Sequence, residues 1–508
     1  MLKRKVWIIL FFTLAVVNKL YSQSGKIQII NANTFELEQR GKNKVKKLIG
    51  DVQLKQDNTT LKCDSAYLFD ETNFVEAYRH VQIIHQDSVN FWGDILKYDG
   101  NTKIAKLQKN VVMQDPNSTL SCDELEFDLS ANRASYFSGG KITSGQLTLT
   151  SQIGYYFTKS RELFFRKNVV LVSPDFTMQS DTLKYNTQSR LATFYSKTII
   201  SSADDTIYCN LGTYQTDKQT GILRKKVKIR SKENTLFADT VLYDRKNKHS
   251  KALGNLLVID TINKVIITGD VGETFGIEKR TYVTKNSFVF NLTKTDTLII
   301  SADSIWVYQR NINAQKEMIK AYKDVKIYKS DLQAICDSLV YNRSDSLMYL
   351  YKNPVIWSDE NQITGDTVLF YIVSNQIDSM NVFSNAFVIS KETNKHYNQV
   401  KGRNLQAKFI DKKINNIEVY GNGQSIYYAK DDSLYVGVNV INCSEMKFLF
   451  AQGKMSSINF IGKPDAKFYP INYLKDNELK LKGFVWRKKM RPTRLAFKYN
   501  ISILPFDI

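Results

Sequence analysis

The stretch "CDSLVYN" at residues 336–342 has counterparts in "SDTLKYN" at 180–186 and "ADTVLYD" at 238–244. A small residue, Asp, Ser or Thr, two mostly apolar places and then Tyr return each time. A catalytic motif needs one copy, whereas a structural unit repeats. Aligned on the acid, clear copies stand at Asp64, Asp94, Asp123, Asp181, Asp239, Asp303, Asp337 and Asp366, spaced by 29, 30 or 34 residues or by about double that. Gln152, Asn210 and Asp270 fill the skipped places, and looser copies follow at Arg403 and Ser444. Thirteen units then run from about residue 45 to about residue 465.

Each unit carries a second signature, a small or polar residue followed by an apolar-x-apolar strand: "RHVQI" at 79–83, "KNVVM" at 109–113, "KDVKI" at 323–327. One unit thus reads as strand, turn, strand, bend, strand, turn. The predicted fold is all-β, an elongated β-jellyroll or β-solenoid-like stack of about thirteen repeats of about 29 residues, with successive turns about 4.8 Å apart.

The columns say which side chains point inward. Three residues before the Asp position the residue is always apolar, including Leu120, Leu149, Met178, Ile207 and Leu236. One residue before it the residue is always small. Four residues after it an aromatic recurs, including Phe127, Tyr156, Tyr185, Tyr214 and Tyr243, with Leu68, Thr274 and Val307 as exceptions. The inward phase runs −3, −1, then +2, +4, so it changes parity at the Asp. A one-residue phase change implies a bulge or bend there, and Asp, Ser and Thr suit a bend through bonds to nearby backbone. A ladder of catalytic or metal-binding carboxylates is the competing reading, and Gln152, Asn210 and Arg403 in the same column argue against it. The five cysteines, Cys63, Cys122, Cys209, Cys336 and Cys443, all occupy the small column and never in adjacent units. They are expected to be reduced, buried fillers rather than disulfides.

The chain has 508 residues, 43% of them hydrophobic, with 28 Tyr, 28 Phe and 7 Pro, a balance that suits strands. Residues 1–22 read as a cleaved signal peptide: Lys3, Arg4 and Lys5, then an apolar run from Val6 to Val17 too short to span a bilayer. Its removal deletes four cations and no acid, taking the formal charge from +21 to +17. A basic exported chain calls for an anionic partner such as a phosphorylated lipid, and not nucleic acid. The expected divisions are a signal peptide (1–22), the repeat region (23–465) and a basic tail (466–508) that includes "WRKKMRPTR" at 486–494.

The repeated "A-x-x-x-x-N-V" (Ala105 to Val111) and "A-D-T-x-x-Y" (Ala238 to Tyr243), with the export signal, resemble the OstA-like family of LptA and the periplasmic part of LptD. The resemblance covers most of residues 27–465. It implies an open-ended β-jellyroll in the periplasm whose apolar interior carries the acyl chains of lipopolysaccharide or another anionic glycolipid. It also implies envelope partners of the same fold and end-to-end self-association. On that reading the path is lined by Leu120, Leu149, Met178, Ile207, Leu236, Phe127, Tyr156, Tyr185, Tyr214 and Tyr243. Residues alone favour a dry, filled core, and it is the resemblance that points to a groove.

No Walker loop, nucleophile elbow or zinc spacing is present. His80 and His85, five apart on a strand, point to opposite faces. The chain is therefore read as a non-enzyme without cofactor or metal. A structural or adhesive exported solenoid and a polysaccharide-active β-helix enzyme stay open as alternatives.

Overall fold

The computed structural model describes residues 25–494 apart from 42, 87–88, 293–295, 310–316, 375, 412, 432–433, 452–453, 472 and 476–477. The signal-peptide segment 1–22 lies outside the described residues. The chain is all-β, and among the described residues the one helical element is a short 3-10 turn, Lys488–Met490. Contacts divide it into two units, one ending at residue 174 and holding 184–189, the other comprising 175–183 and the rest from 190.

In the first unit the strands Asn43–Gln56, Thr59–Phe69, Phe74–His85, Val89–Asp99, Ile104–Asp115 and Ser118–Asp128 follow one another, each antiparallel to the next. In the second unit the same up-and-down order joins Thr220–Ser231 to Leu332–Asn342 through six intervening strands. The repeat is therefore a pair of long bent strands, not one turn of a coil. Equivalent residues lie two strands apart, about 9.6 Å, which is double the pitch expected for stacked turns. The cause is connection length: two to four residues join most of these neighbouring strands, enough for a hairpin and too short for a parallel crossover.

The bend sits where the columns place it, but the extra residue belongs to the neighbouring strand. Ile49 pairs with Ser65 and Val52 with Cys63, so Gly50 and Asp51 together oppose Asp64. Likewise Tyr78 pairs with Ile95 and Val81 with Gly93, leaving Arg79 and His80 opposite Asp94. Both residues of these two-residue insertions are left-handed: φ is 61° and 45° at Arg79 and His80, 61° and 51° at Lys109 and Asn110, 60° and 53° at Lys285 and Asn286. Two residues against one is a β-bulge, and it sharpens the local bend. Each left-handed L-residue carries a steric cost, which explains why Gly, Asn and Asp are frequent there.

The repeated Asp offsets that cost across the strands rather than locally. Its carboxylate accepts from the second left-handed side chain of the following strand: Asn110 to Asp94 (2.7 Å), Asn255 to Asp239 (2.8 Å), Asn286 to Asp270 (2.7 Å), with His80 Nδ1 2.8 Å from Asp64. At Asp337 the partner is Lys352, 3.0 Å away. The backbone also contributes where the acid is missing: the Gln152 amide donates to the Lys167 carbonyl and that of Arg403 to Gly421. The expected bonds to nearby backbone are thus replaced, at these corners, by bonds reaching sixteen residues along the chain.

Strand Thr59–Phe69 shows the parity change in its burial, with Leu61 and Cys63 inside, Asp64 exposed, then Ala66 and Leu68 inside. The −3 column is buried throughout except at Val400, which is half-buried. Smallness at −1 is a packing demand in the later units: a Cβ on Gly365 would lie 2.3 Å from Val382 Cγ1, and one on Gly402 2.2 Å from Val419 Cγ1. All five cysteines are free thiols. Cys63, Cys209 and Cys336 are buried as expected, whereas Cys122 and Cys443 are half-buried.

Two outcomes follow. Asp239→Ala removes the carboxylate that Asn255 needs and should lower unfolding free energy by about 0.5–1.5 kcal/mol in urea titration, with the far-ultraviolet spectrum unchanged. Burial pushes the thiols of Cys63, Cys122, Cys209 and Cys336 up to about 12 from 9.0. Between those values the unfolded chain has released protons that the folded chain keeps, so stability should fall as pH rises from 9 towards 12. Replacing the four by Ala should flatten that fall in denaturant titrations.

Candidate apolar-lined cavity

The bulge sends two rows of side chains inward, one on each side of the corner. In the first unit the −3 row runs Leu120, Ile142, Leu149, Leu171 across neighbouring strands. The +4 row runs Tyr98, Ala105, Phe127, Ala134, Tyr156, Leu163. The aromatics do not sit on successive strands. An Ala or Leu separates them, which lets rings such as Phe91 and Phe127 approach to 4.3 Å between centroids. This interior is closely filled.

All ten residues predicted to line a path are buried. Leu120, Leu149, Phe127, Tyr156 and Tyr185 belong to the first unit, Met178, Ile207, Leu236, Tyr214 and Tyr243 to the second. Tyr214 is packed edge-on against Phe176, with centroids 5.1 Å apart.

Two of the ten, Leu236 and Tyr243, line a cavity of 240 Å³ in the second unit. Its origin is readable in the rows. From Tyr243 the +4 row continues through Ser250, Thr274 and Thr281 to Val307, so three small residues follow the Tyr243 ring. Ser250 and Thr281 stand at the intervening places that hold Ala or Leu elsewhere, so it is Thr274 that leaves unfilled the width that Tyr214 and Tyr243 fill. The facing row stays aliphatic, with Ile229, Leu236 and Val258. A lapse in one column, flagged in the sequence by Thr274 and Val307, thus leaves space between two intact walls. For scale, a dry cavity of about 150 Å³ admits benzene.

A charged floor closes one end. Arg245 Nη2 lies 2.8 Å from Asp205 Oδ1, both side chains about nine-tenths buried. The Tyr243 hydroxyl donates to the same carboxylate, and Arg245 Nη1 donates to the Tyr214 hydroxyl at 3.4 Å. Burial, then the Asp205 charge, raises the Tyr243 pKa, and burial takes Tyr214 up to about 12. Both phenols are neutral throughout the physiological range. The lining reaches the surface at Asp204, Lys232 and Lys248. Five cations, Lys232, Arg245, Lys248, Lys279 and Arg280, face three carboxylates, Asp204, Asp205 and Glu233. Lys279 pairs with Glu233 at 2.6 Å and Lys248 with Asp204 at 3.1 Å. Arg280 instead lies over the rings of Phe275 and Trp306, at 4.1 and 5.0 Å. The cavity therefore combines one aliphatic wall with a cationic mouth. Sequence reasoning named Leu236 and Tyr243 but missed Asp205 and Arg245, because both lie outside the repeat columns.

Breaking the floor pair tests its role. Arg245→Met leaves Asp205 buried with only the neutral donors Tyr243 and Ser202 and no countercharge, and should cost about 3–5 kcal/mol. Arg245→Met with Asp205→Leu should recover most of that loss in thermal or urea unfolding.

Residues 24–181 match the family model described as OstA-like protein, and residues 292–376 match that of the LptA/(LptD N-terminal domain) LPS transport protein. No curated protein sequence matches the chain. Among solved structures, one similar chain is LptH, the LptA homologous periplasmic component of the lipopolysaccharide transport device from Pseudomonas aeruginosa. It is 11% identical, with a TM-score of 0.21 over 27% of this chain and 93% of that one. Two segments of the chain, 24–181 and 292–376, are thus similar to the OstA-like/LptA family.

Proposed function

We propose that this chain is a lipopolysaccharide-binding transport protein of the periplasm, and that the cavity between the Ile229–Leu236–Val258 wall and the Ser250–Thr274–Thr281 wall receives an acyl chain. The observation that carries the reading is the pairing of an aliphatic wall with a mouth in which cations outnumber carboxylates. Each methylene moved from water into such a space gains about 0.8 kcal/mol. Lys232, Lys248 and Arg280 stand where a phosphate on the same molecule would be held. The filled interior of the first unit serves as scaffold in this reading. Leu120, Leu149, Phe127, Tyr156 and Tyr185 line a path only if the two bent faces part. Partners carrying the same fold would receive the lipid at exposed sheet edges.

The structural and enzymatic alternatives give no role to a basic-mouthed apolar cavity. A photo-crosslinking residue at Leu236 should capture lipopolysaccharide in cells that make it, and one at the exposed neighbour Leu242 should not. Thr274→Phe, which fills the cavity, should abolish capture from Leu236 while the chain still folds. Equal capture at both positions, or capture that survives Thr274→Phe, would count against the proposal.

A further inference from the structure

The bend at each bulge folds a strand until its two ends approach, so the hairpin turns form two lips along a seam. In the second unit one lip holds the turns 202–204, 232–233 and 261–264, and the other holds 245–248, 276–279 and Gln309. The lips meet through side chains, with one polarity. The first lip supplies the carboxylate and the second the donor: Lys248 to Asp204 (3.1 Å), Lys279 to Glu233 (2.6 Å), Gln309 to Asp260 (2.6 Å) and, before them, Gln219 to Asp175 (2.5 Å). The first unit has the same arrangement in Lys103 and Asp57, 2.7 Å apart. Lys103, Gln219, Lys248 and Lys279 each end their turn, and each is left-handed, with φ of 59°, 57°, 48° and 52°. Gly or Asn would adopt that conformation at lower cost. A long side chain there is accounted for by its reach across the seam.

Two of these crossings frame the cavity. Asp204, Glu233, Lys248 and Lys279 all line it, so its mouth is a stretch of the seam. Exposure separates them from the floor. The side chains of Lys248 and Asp204 are 56% and 66% exposed and those of Lys279 and Glu233 33% and 46%, against 9% and 11% for Arg245 and Asp205. Exposed ion pairs are screened by water and contribute little, whereas a buried pair is costly to separate. Along the second lip the turns are joined by backbone bonds, from the Gly276 amide to the Lys248 carbonyl and from the Gln309 amide to the Lys279 carbonyl, both 2.8 Å. At the mouth the seam is therefore weak across and firm along its length, with Arg245 and Asp205 as the fixed point.

We propose that this stretch of seam is a lateral gate for a phosphorylated glycolipid. The lipid enters the cavity sideways: its phosphates take Lys248 and Lys279 from Asp204 and Glu233 while its acyl chain passes between the lips. The inference rests on the reading of the cavity as an acyl-chain site. In the closed state the two carboxylates hold the cations that a phosphate would hold. A phosphate carries more charge and more acceptor oxygens than a carboxylate, so the exchange favours the ligand. Asp204 and Glu233 are already in contact with water, so neither is left buried and unpaired when released. A lipid without phosphate has no such lever and meets a closed seam.

Spin labels on unnatural amino acids at Ala203 and Ile277, exposed residues of the two lips outside every crossing, report the spacing by pulsed electron resonance. Added lipopolysaccharide should shift the distances to longer values. Dephosphorylated lipopolysaccharide, or inorganic phosphate at the same concentration, should not. Asp204→Asn with Glu233→Gln should widen the seam without ligand and speed capture at Leu236 several-fold. Lys251→Gln, which removes the pair with Glu273 between adjacent strands away from the seam, should change neither. Unchanged spacing with lipopolysaccharide while capture at Leu236 persists would overturn the gate and leave the transport reading standing. Widening by the dephosphorylated lipid or by inorganic phosphate, or a closed ligand-free seam in the double variant, would overturn the gate as well. Absence of capture at Leu236 in the unsubstituted chain would strike the acyl-chain reading, and the gate with it.

Discussion

Two consecutive left-handed residues set against one Asp form the constraint on which the structure rests. A strand alternates its side chains strictly, so a straight strand buries one face only. The strand that carries the Asp changes its alternation there, from Leu61 and Cys63 to Ala66 and Leu68, and the two-for-one bulge on its neighbour at Arg79–His80 lets Val75, Ala77, Val81 and Ile83 all stay inside. Each strand therefore sends residues inward on both sides of its bend, and the core is built from both halves. Without the inversion, Ala66 and Leu68 would face water while Leu61 and Cys63 faced the core.

The corner is stabilised by partners on different strands. Asp94 and Asn110 are sixteen residues apart, and so are Asp239 and Asn255, Asp270 and Asn286. These bonds reward formation of the neighbouring strand rather than the local bend, which ties each repeat to the next. A stack of this kind tolerates loss of one acid, since the backbone bond from Gln152 to Lys167 persists without it. It also tolerates variation in the inward rows, because a lapse such as Ser250–Thr274–Thr281 leaves a cavity without breaking the hydrogen-bonded ladder. In this chain the rigid part of the design is the corner, and the adjustable part is the filling.

Three columns of apolar, small and aromatic residues repeated over thirteen units were sufficient to read the all-β class, the parity change and the buried faces, because alternation is a property of the strand itself. The placement of Leu120, Leu149, Met178, Ile207, Leu236 and the five aromatics inside follows from that alternation alone. The direction of the neighbouring strands did not follow. A period of 29 residues fits one coil turn as well as two bent strands, and only the pairing of Ile49 with Ser65 and Val52 with Cys63 shows an antiparallel hairpin. The location of the extra residue was equally hidden, since a phase change in one strand does not say which neighbour carries the bulge.

The candidate site divides in the same way. Thr274 and Val307 stood out in the sequence as interruptions of the aromatic column, yet an interruption becomes a cavity only if the opposite wall fails to collapse into it. That depends on Ile229, Leu236 and Val258 being held by their own ladder. Asp205 and Arg245 meet across 40 residues and belong to no column. Likewise Gln333, Gln362 and Gln399 are ordinary surface residues by composition, and their burial under the tail is a fact of long-range packing. The sequence by itself determined which face of each strand is apolar, because that is set within a few residues. Tertiary structure alone decided which distant groups share a space, because hydrogen-bond pairing between strands, and not local alternation, fixes who lies opposite whom.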